Sequence, residues 1–285
     1  MTIDFSWLTS QFPDLQGIAL LSDGGQKLVF SARHPARGEV VLKLIRPNQD
    51  VESVRREILA VQQVASARVP QVLEVGTVPT PIGNCIWLLE ERIPGQSVRE
   101  ILKQQRTLSF DEVARMALHV LEALESAEDA SIVHRDVKPD NIIRDLNGQY
   151  WLLDFGIARH LTLDSNTFTA APFGKFTPGY APREQFRNIK QDIDARTDLF
   201  GLGITLYECL SGYNPFVEGV RNVLEILQRT EATALPRLRL TIPGAAEFGD
   251  FLEAITQKRR DHRPASISEA LGWMQEIALL AGIDS

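Results

Sequence analysis

The feature that most constrains this chain is a change of hydrophobic period at Pro94-Gly95. Before it, short apolar and β-branched runs alternate with turn residues, the pattern of strands. These runs are Ile18–Leu21, Lys27–Ala32, Glu39–Ile45, Val69–Val78 and Cys85–Glu90, with Pro79–Gly83 as the turn between the last two. One helix is predicted among them at about Val51–Val64, because Val54, Ile58, Val61 and Ala65 recur at helical spacing. After the break the period becomes that of helices. Ser109 and Glu112 form a capping box, in which hydroxyl and carboxylate satisfy N–H groups that a helix start leaves unpaired. Val113, Met116, Ala117, Val120, Leu121 and Leu124 then line one face. Further helices are predicted over Asp198–Leu210, Asp250–Ile255 and Ile267–Leu280. A β-rich part, a breaker and an α-rich part predict an α+β chain of two lobes, 18–92 and 93–285, with a crevice between them as the expected ligand site. Residues 1–17 form an extension whose Phe5, Trp7 and Phe12 are expected to pack on the first lobe, with a grip on a partner as the alternative.

Composition narrows the class. The 285 residues are 44% hydrophobic and 24% charged, as in ordinary soluble globular proteins. A net charge of -7 argues against a nucleic-acid partner. The run Lys258-Arg-Arg260 reads as a solvated face. Cys85 and Cys209 sit in apolar surroundings without metal-ligand spacing and read as buried, reduced thiols. The first residues lack the basic-then-apolar pattern of a signal peptide, and no apolar run is long enough to span a bilayer. A cytoplasmic protein without a membrane segment is expected.

Two stretches carry the chemistry: His134-Arg-Asp-Val-Lys-Pro-Asp-Asn141, and Asp154-Phe-Gly156 directly after the apolar run Trp151–Leu153. They resemble the protein kinase family, specifically the eukaryotic-like Ser/Thr kinases of bacteria, and the likeness extends over about Ile18–Leu271. The resemblance implies a bilobal kinase-like fold, ATP as phosphoryl donor and a protein as acceptor. It implies that Asn141 and Asp154 hold Mg²⁺, with Mn²⁺ as the alternative cation. Asp136 would accept the proton of the incoming hydroxyl, and Lys138 would put positive charge beside the transferring phosphoryl group. His134 would be structural, packed beneath the Phe155 region. Val40-Val-Leu-Lys43 resembles the strand whose lysine anchors ATP, and Glu57 on the following helix is the candidate partner of Lys43.

The family's lid over the phosphates reads G-x-G-x-x-G-x-V. Setting its valine on Val29 places Ser22, Gly24 and Lys27 at the glycine positions, with Gly25 adjacent. Fewer glycines leave fewer backbone N–H groups able to approach phosphate, and Lys27 offers charge in their place. The segment is therefore expected to be both a hairpin and a cover for phosphates, with weakened ATP binding as a consequence. Phe176-Thr-Pro-Gly-Tyr-Ala-Pro-Arg-Glu184 resembles the segment that receives protein substrates, although Phe176 and Arg183 depart from the family's Gly and Pro. By the same resemblance Thr177 contacts Asp136, Glu184 pairs with Arg263, and Asp198 braces the catalytic loop through backbone hydrogen bonds. Arg135 would meet a phosphorylated activation loop, with Ser165, Thr167 and Thr169 as candidate sites of autophosphorylation. A dimer is one arrangement that would serve phosphorylation in trans. Two alternatives stay open: a pseudokinase acting as a nucleotide-binding or scaffold module, favoured by the glycine-poor loop, and a small-molecule kinase.

Overall fold

In a computed structural model of the chain, residues 4–24, 27–46, 58, 61–80, 83–155 and 176–283 are described. Their contacts divide them into two units. The first holds the described residues up to 63 and those of 70–93. The second holds 64–69, 94–155 and 176–283.

In the first unit, helix α1 (Phe5–Gln11) is capped by Asp4, whose carboxylate accepts from the Ser6 N–H at 3.0 Å. Five antiparallel strands follow: β1 (Gln16–Asp23), β2 (Lys27–His34), β3 (Gly38–Ile45), β4 (Val72–Thr80) and β5 (Gly83–Glu91), in the order β1-β2-β3-β5-β4. Alternation along the strands gives the sheet two apolar faces. Leu28, Phe30, Ala32, Val40, Leu42 and Leu44 pack with Leu8, Phe12 and Leu15 of the N-terminal segment. Ile45, Ile58, Ile86 and Leu88 form a second cluster. The expected packing is observed for Phe12 and, partly buried, for Trp7, and Leu8 joins them unforeseen, whereas Phe5 stays half exposed with its ring edge-on to Phe30. The helix predicted over 51–64 lies largely outside the described residues.

In the second unit, a small antiparallel sheet orders β6 (Gly95–Ser97), β7 (Ile142–Asp145) and β8 (Tyr150–Leu152). The glycine at the period break has a steric reason: a Cβ on Gly95 would stand 2.2 Å from the Arg144 carbonyl oxygen on β7. The helices are α2 (Val98–Gln105), α3 (Phe110–Asp129), α4 (Arg183–Phe186), α5 (Arg196–Ser211), α6 (Val223–Ala232), α7 (Ala245–Ile255) and α8 (Ile267–Ala281). The Ser109–Glu112 capping box is formed, and Ser97 with Glu100 makes a second one on α2. Helix α5 is buried without a break from Thr197 to Cys209, the signature of a helix surrounded by protein on every side. Gly201 lets it approach the loop before β7, since a Cβ there would lie 2.9 Å from the Val137 carbonyl oxygen.

Both cysteines are buried and free. The basic run at 258–260 is not one solvated face. Lys258 places its ammonium 4.4 Å from the Phe216 ring centre and 5.3 Å from that of Phe200, and burial pulls its pKa down to about 8. Arg259 is exposed and pairs with Asp261, while Arg260 reaches Asp194 at 3.0 Å. Among the described residues no helix is long and apolar enough to cross a membrane.

Leu8 is fully enclosed in the first unit's core, so Leu8→Ala should destabilise that unit by about 2–5 kcal/mol through lost burial and a residual cavity. Urea unfolding followed by tryptophan fluorescence measures it. An unchanged midpoint would mean that the N-terminal segment is not part of the core.

Candidate active site

The centre of the second unit's site is the carboxylate of Asp136. Its Oδ1 accepts from the Thr177 hydroxyl at 2.6 Å. Its Oδ2 accepts from Lys138 Nζ at 2.7 Å and from Asn141 Nδ2 at 2.9 Å. Lys138 also donates to Thr177 Oγ1 at 2.8 Å, and Asn141 Nδ2 reaches the Asp136 carbonyl at 2.8 Å. Four side chains expected from the sequence are therefore bonded into one cluster. A carboxylate offers roughly four acceptor positions, so three bonds leave one lone pair on Oδ1 for a further donor.

The loop carrying Asp136 is held from below. Asp198, near the start of α5, accepts the N–H of His134 at 2.8 Å and that of Arg135 at 2.6 Å, one on each oxygen. Arg135 has φ 66, a left-handed backbone unusual for a residue with a Cβ. Its carbonyl accepts from Gln185 Nε2 at 2.6 Å, so both its backbone groups are clamped. His134 Nδ1 accepts the Asp136 N–H at 3.2 Å, which makes Nε2 the donor to the Leu153 carbonyl at 2.7 Å. Burial lowers the pKa of the ring and keeps it neutral, the form this tautomer requires. Phe155 stands edge-on to it at 4.6 Å between ring centres. Burial pushes the Asp198 carboxyl up to about 7 against the pull of the two N–H donors.

The Leu153 N–H donates to the Asn141 carbonyl at 2.8 Å, which ties the exit of β8 to the loop that carries Asp136. Asp154 follows with φ 65, again left-handed. Asn141 and Asp154 supply oxygen donors alone, which suits a hard divalent cation. Asn141 spends its Nδ2 on Asp136, so its Oδ1 is the atom to offer. Among the described residues no group of three His, Cys, Asp or Glu forms a self-sufficient metal cage. A cation that takes its remaining ligands from phosphates and water fits such a sparse set.

Glu184 on α4 and Arg263 form a buried ion pair, with Nη1 2.6 Å from Oε1. Arg263 also donates to the carbonyls of Gln257 and Arg196 at 2.8 and 2.9 Å, so the guanidinium is satisfied on several sides. Both departures in the preceding segment find partners. Phe176 packs 5.8 Å from Phe186, and Arg183 lies 3.3 Å from Glu231. Sequence reasoning missed Arg99, which joins Asp140, Tyr180 and Glu208 at 3.1, 2.6 and 2.6 Å. It missed Gln185 too. Neither carries a local signal, because their partners are remote in sequence.

In the first unit, Ser22, Val29, Lys43 and Leu88 lie in one row across the sheet, each paired with the next. The Gly24 N–H donates to the Lys27 carbonyl at 3.0 Å, and Arg46 closes the hairpin by reaching Asp23 at 2.5 Å. Lys43 is buried and its ammonium is in contact with the carboxylate of Glu90, a partner the sequence did not suggest. Glu57, Gly25, Gly156, Ser165, Thr167 and Thr169 lie outside the described residues.

Residues 17–273 match the sequence profile of the protein kinase domain. A probable serine/threonine-protein kinase of Clostridium perfringens is 29% identical over 90% of this chain and 37% of its own length. The probable serine/threonine-protein kinase PknB of Bifidobacterium longum is 32% identical over 88% of the chain and 37% of its own. The serine/threonine-protein kinase PknB of Mycolicibacterium smegmatis is 32% identical over 88% of the chain and 40% of its own. The chain thus spans about two-fifths of the length of these curated relatives.

A carboxyl raised from 3.8 to about 7 by folding holds its proton in the folded chain after the unfolded chain has lost it. Its contribution to stability is complete below pH 4 and falls as pH rises through 7. The stability of the wild type relative to Asp198→Asn should therefore decline between pH 4.5 and pH 7.5 in paired urea titrations. A difference that stays constant across that range would contradict the assignment.

Proposed function

The chain belongs to the protein kinase family, and from that premise we propose that it transfers the γ-phosphoryl group of ATP to serine or threonine hydroxyls of proteins. The observation that carries this reading is the Asp136 cluster, with one acceptor position left on a carboxylate that three donors orient. Asp136 takes the proton of the incoming hydroxyl as that oxygen bonds to the γ-phosphorus. The bond from phosphorus to the β–γ bridging oxygen breaks, and ADP leaves with the bonding pair. Lys138 supplies positive charge close to the transferring group, and Thr177 fixes both Asp136 and Lys138. Family membership implies a divalent cation; we propose Mg²⁺ held by Asn141 and Asp154, whose charge offsets that of the phosphates. In the first unit Lys43 meets the α- and β-phosphates, and the hairpin of Ser22, Gly24, Gly25, Lys27 and Val29 covers them.

We read 18–92 and 93–285 as the kinase N-lobe and C-lobe, 1–17 as an extension, and the protein as cytoplasmic, with a dimer serving phosphorylation in trans. One observation favours the scaffold alternative: the Gly24 N–H is already spent on Lys27. A hairpin that offers few N–H groups binds phosphate weakly.

Incubation with labelled ATP, Mg²⁺ and a generic protein substrate separates the two readings. Transfer should fall by about 10²-fold or more in Asp136→Asn, the scale expected for a general base. Nucleotide binding with no transfer in either protein would establish the scaffold. Under the kinase reading, Thr167 and Thr169 acquire phosphate in the wild type and stay bare in Asp136→Asn. Mass spectrometry that finds both unmodified while other sites are filled removes the autophosphorylation proposal.

A further inference from the structure

The Lys43–Glu90 contact has a chemical consequence beyond holding two strands together. Lys43 faces Leu88 across the β3–β5 ladder, and Glu90 faces Val41. Positions 41 and 43, like 88 and 90, alternate onto the same side of the sheet, so lysine and glutamate meet diagonally. Glu90 belongs to the otherwise apolar run Cys85-Ile-Trp-Leu-Leu-Glu90 and is only 8% exposed, and Lys43 is 5% exposed. A carboxylate removed from water in this way is strongly disfavoured unless a cation accompanies it. Lys43 is that cation, so each charge holds the other in place.

We propose that Glu90 is a positioning residue of the nucleotide site, an internal anion that shares the Lys43 ammonium with the phosphates and thereby moderates the affinity for them. This rests on the reading in which Lys43 meets the α- and β-phosphates. An ammonium can serve several acceptors at once, so Glu90 and phosphate do not exclude each other, and the lysine arrives already aimed. The cost is electrostatic. The carboxylate offsets much of the positive charge that draws the phosphates, and the buried setting screens their mutual repulsion poorly. The glycine-poor hairpin and the neutralised lysine then act in the same direction, toward loose nucleotide binding.

Replacing Glu90 by glutamine keeps the shape and an acceptor oxygen and removes the charge. The test compares wild type, Glu90→Gln, Glu90→Asp and Lys43→Met by calorimetry, with adenosine and with a non-hydrolysable ATP analogue in Mg²⁺. Glu90→Gln should bind the triphosphate about tenfold more tightly while adenosine binding is unchanged. Glu90→Asp, which keeps the charge, should retain the wild-type ratio of triphosphate to adenosine affinity. A merely structural role would weaken both ligands together and leave the ratio alone. If Lys43→Met weakens the triphosphate but Glu90→Gln leaves it unchanged or weaker, the moderating role is overturned and the Lys43 reading stands. If Lys43→Met has no effect on the triphosphate, both fall.

Discussion

The carboxylate of Asp198 is the constraint on which the rest of the second unit's site depends. It lies on a helix buried on every side and receives two consecutive backbone N–H groups. Those two bonds set the direction of the chain at His134 and Arg135, and Arg135 accepts a left-handed φ as a result. Such a conformation costs of order 1–3 kcal/mol and persists only where several contacts over-determine it. Here the contacts are Asp198 on one side and Gln185 on the other. The loop then presents Asp136 in one orientation, and His134 links it to Leu153 just before Asp154. The reach of a single helix residue extends in this way to both acids of the site.

Two buried ion pairs, one in each unit, use the same physics for different ends. In the Glu184–Arg263 pair the arginine makes further hydrogen bonds to two backbone carbonyls and stands over Phe200 at 5.1 Å. That pair ties α4 to the chain at Arg263. Lys43 and Glu90 sit on the face of a sheet, where the ammonium meets the carboxylate across two neighbouring strands. Burial makes each pair costly to break, because removing one member leaves the other charged and dry. The first cost secures a scaffold, and in our proposal the second tunes a binding site.

The departures from the family pattern are absorbed locally. Arg183, in place of a proline, lies beside Glu231, which also binds Arg187 at 2.6 Å. Phe176, in place of a glycine, finds an apolar neighbour in Phe186. Neither change touches the bonds around Asp136. The change in the hairpin is of another kind, since it alters what the backbone can offer a phosphate.

Much of the fold was legible from the sequence because its signals are local. Strand alternation and the Ser109–Glu112 capping box depend on a few neighbouring residues, and the structure repeats them, whereas the need for glycine at position 95 comes from Arg144 on a distant strand. The candidate site residues were named through the family resemblance of two short stretches, and the structure bonds Asp136, Lys138, Asn141 and Thr177 into one cluster. Tertiary structure alone decided the partners. Lys43 and Glu90 are 47 positions apart, and Asp198 lies 64 from His134. A charged letter reads the same whether its side chain is hydrated or buried, as Lys258 shows by standing over two phenyl rings rather than in water. Only packing determines how much water a charge keeps, and with it which opposite charge it must find.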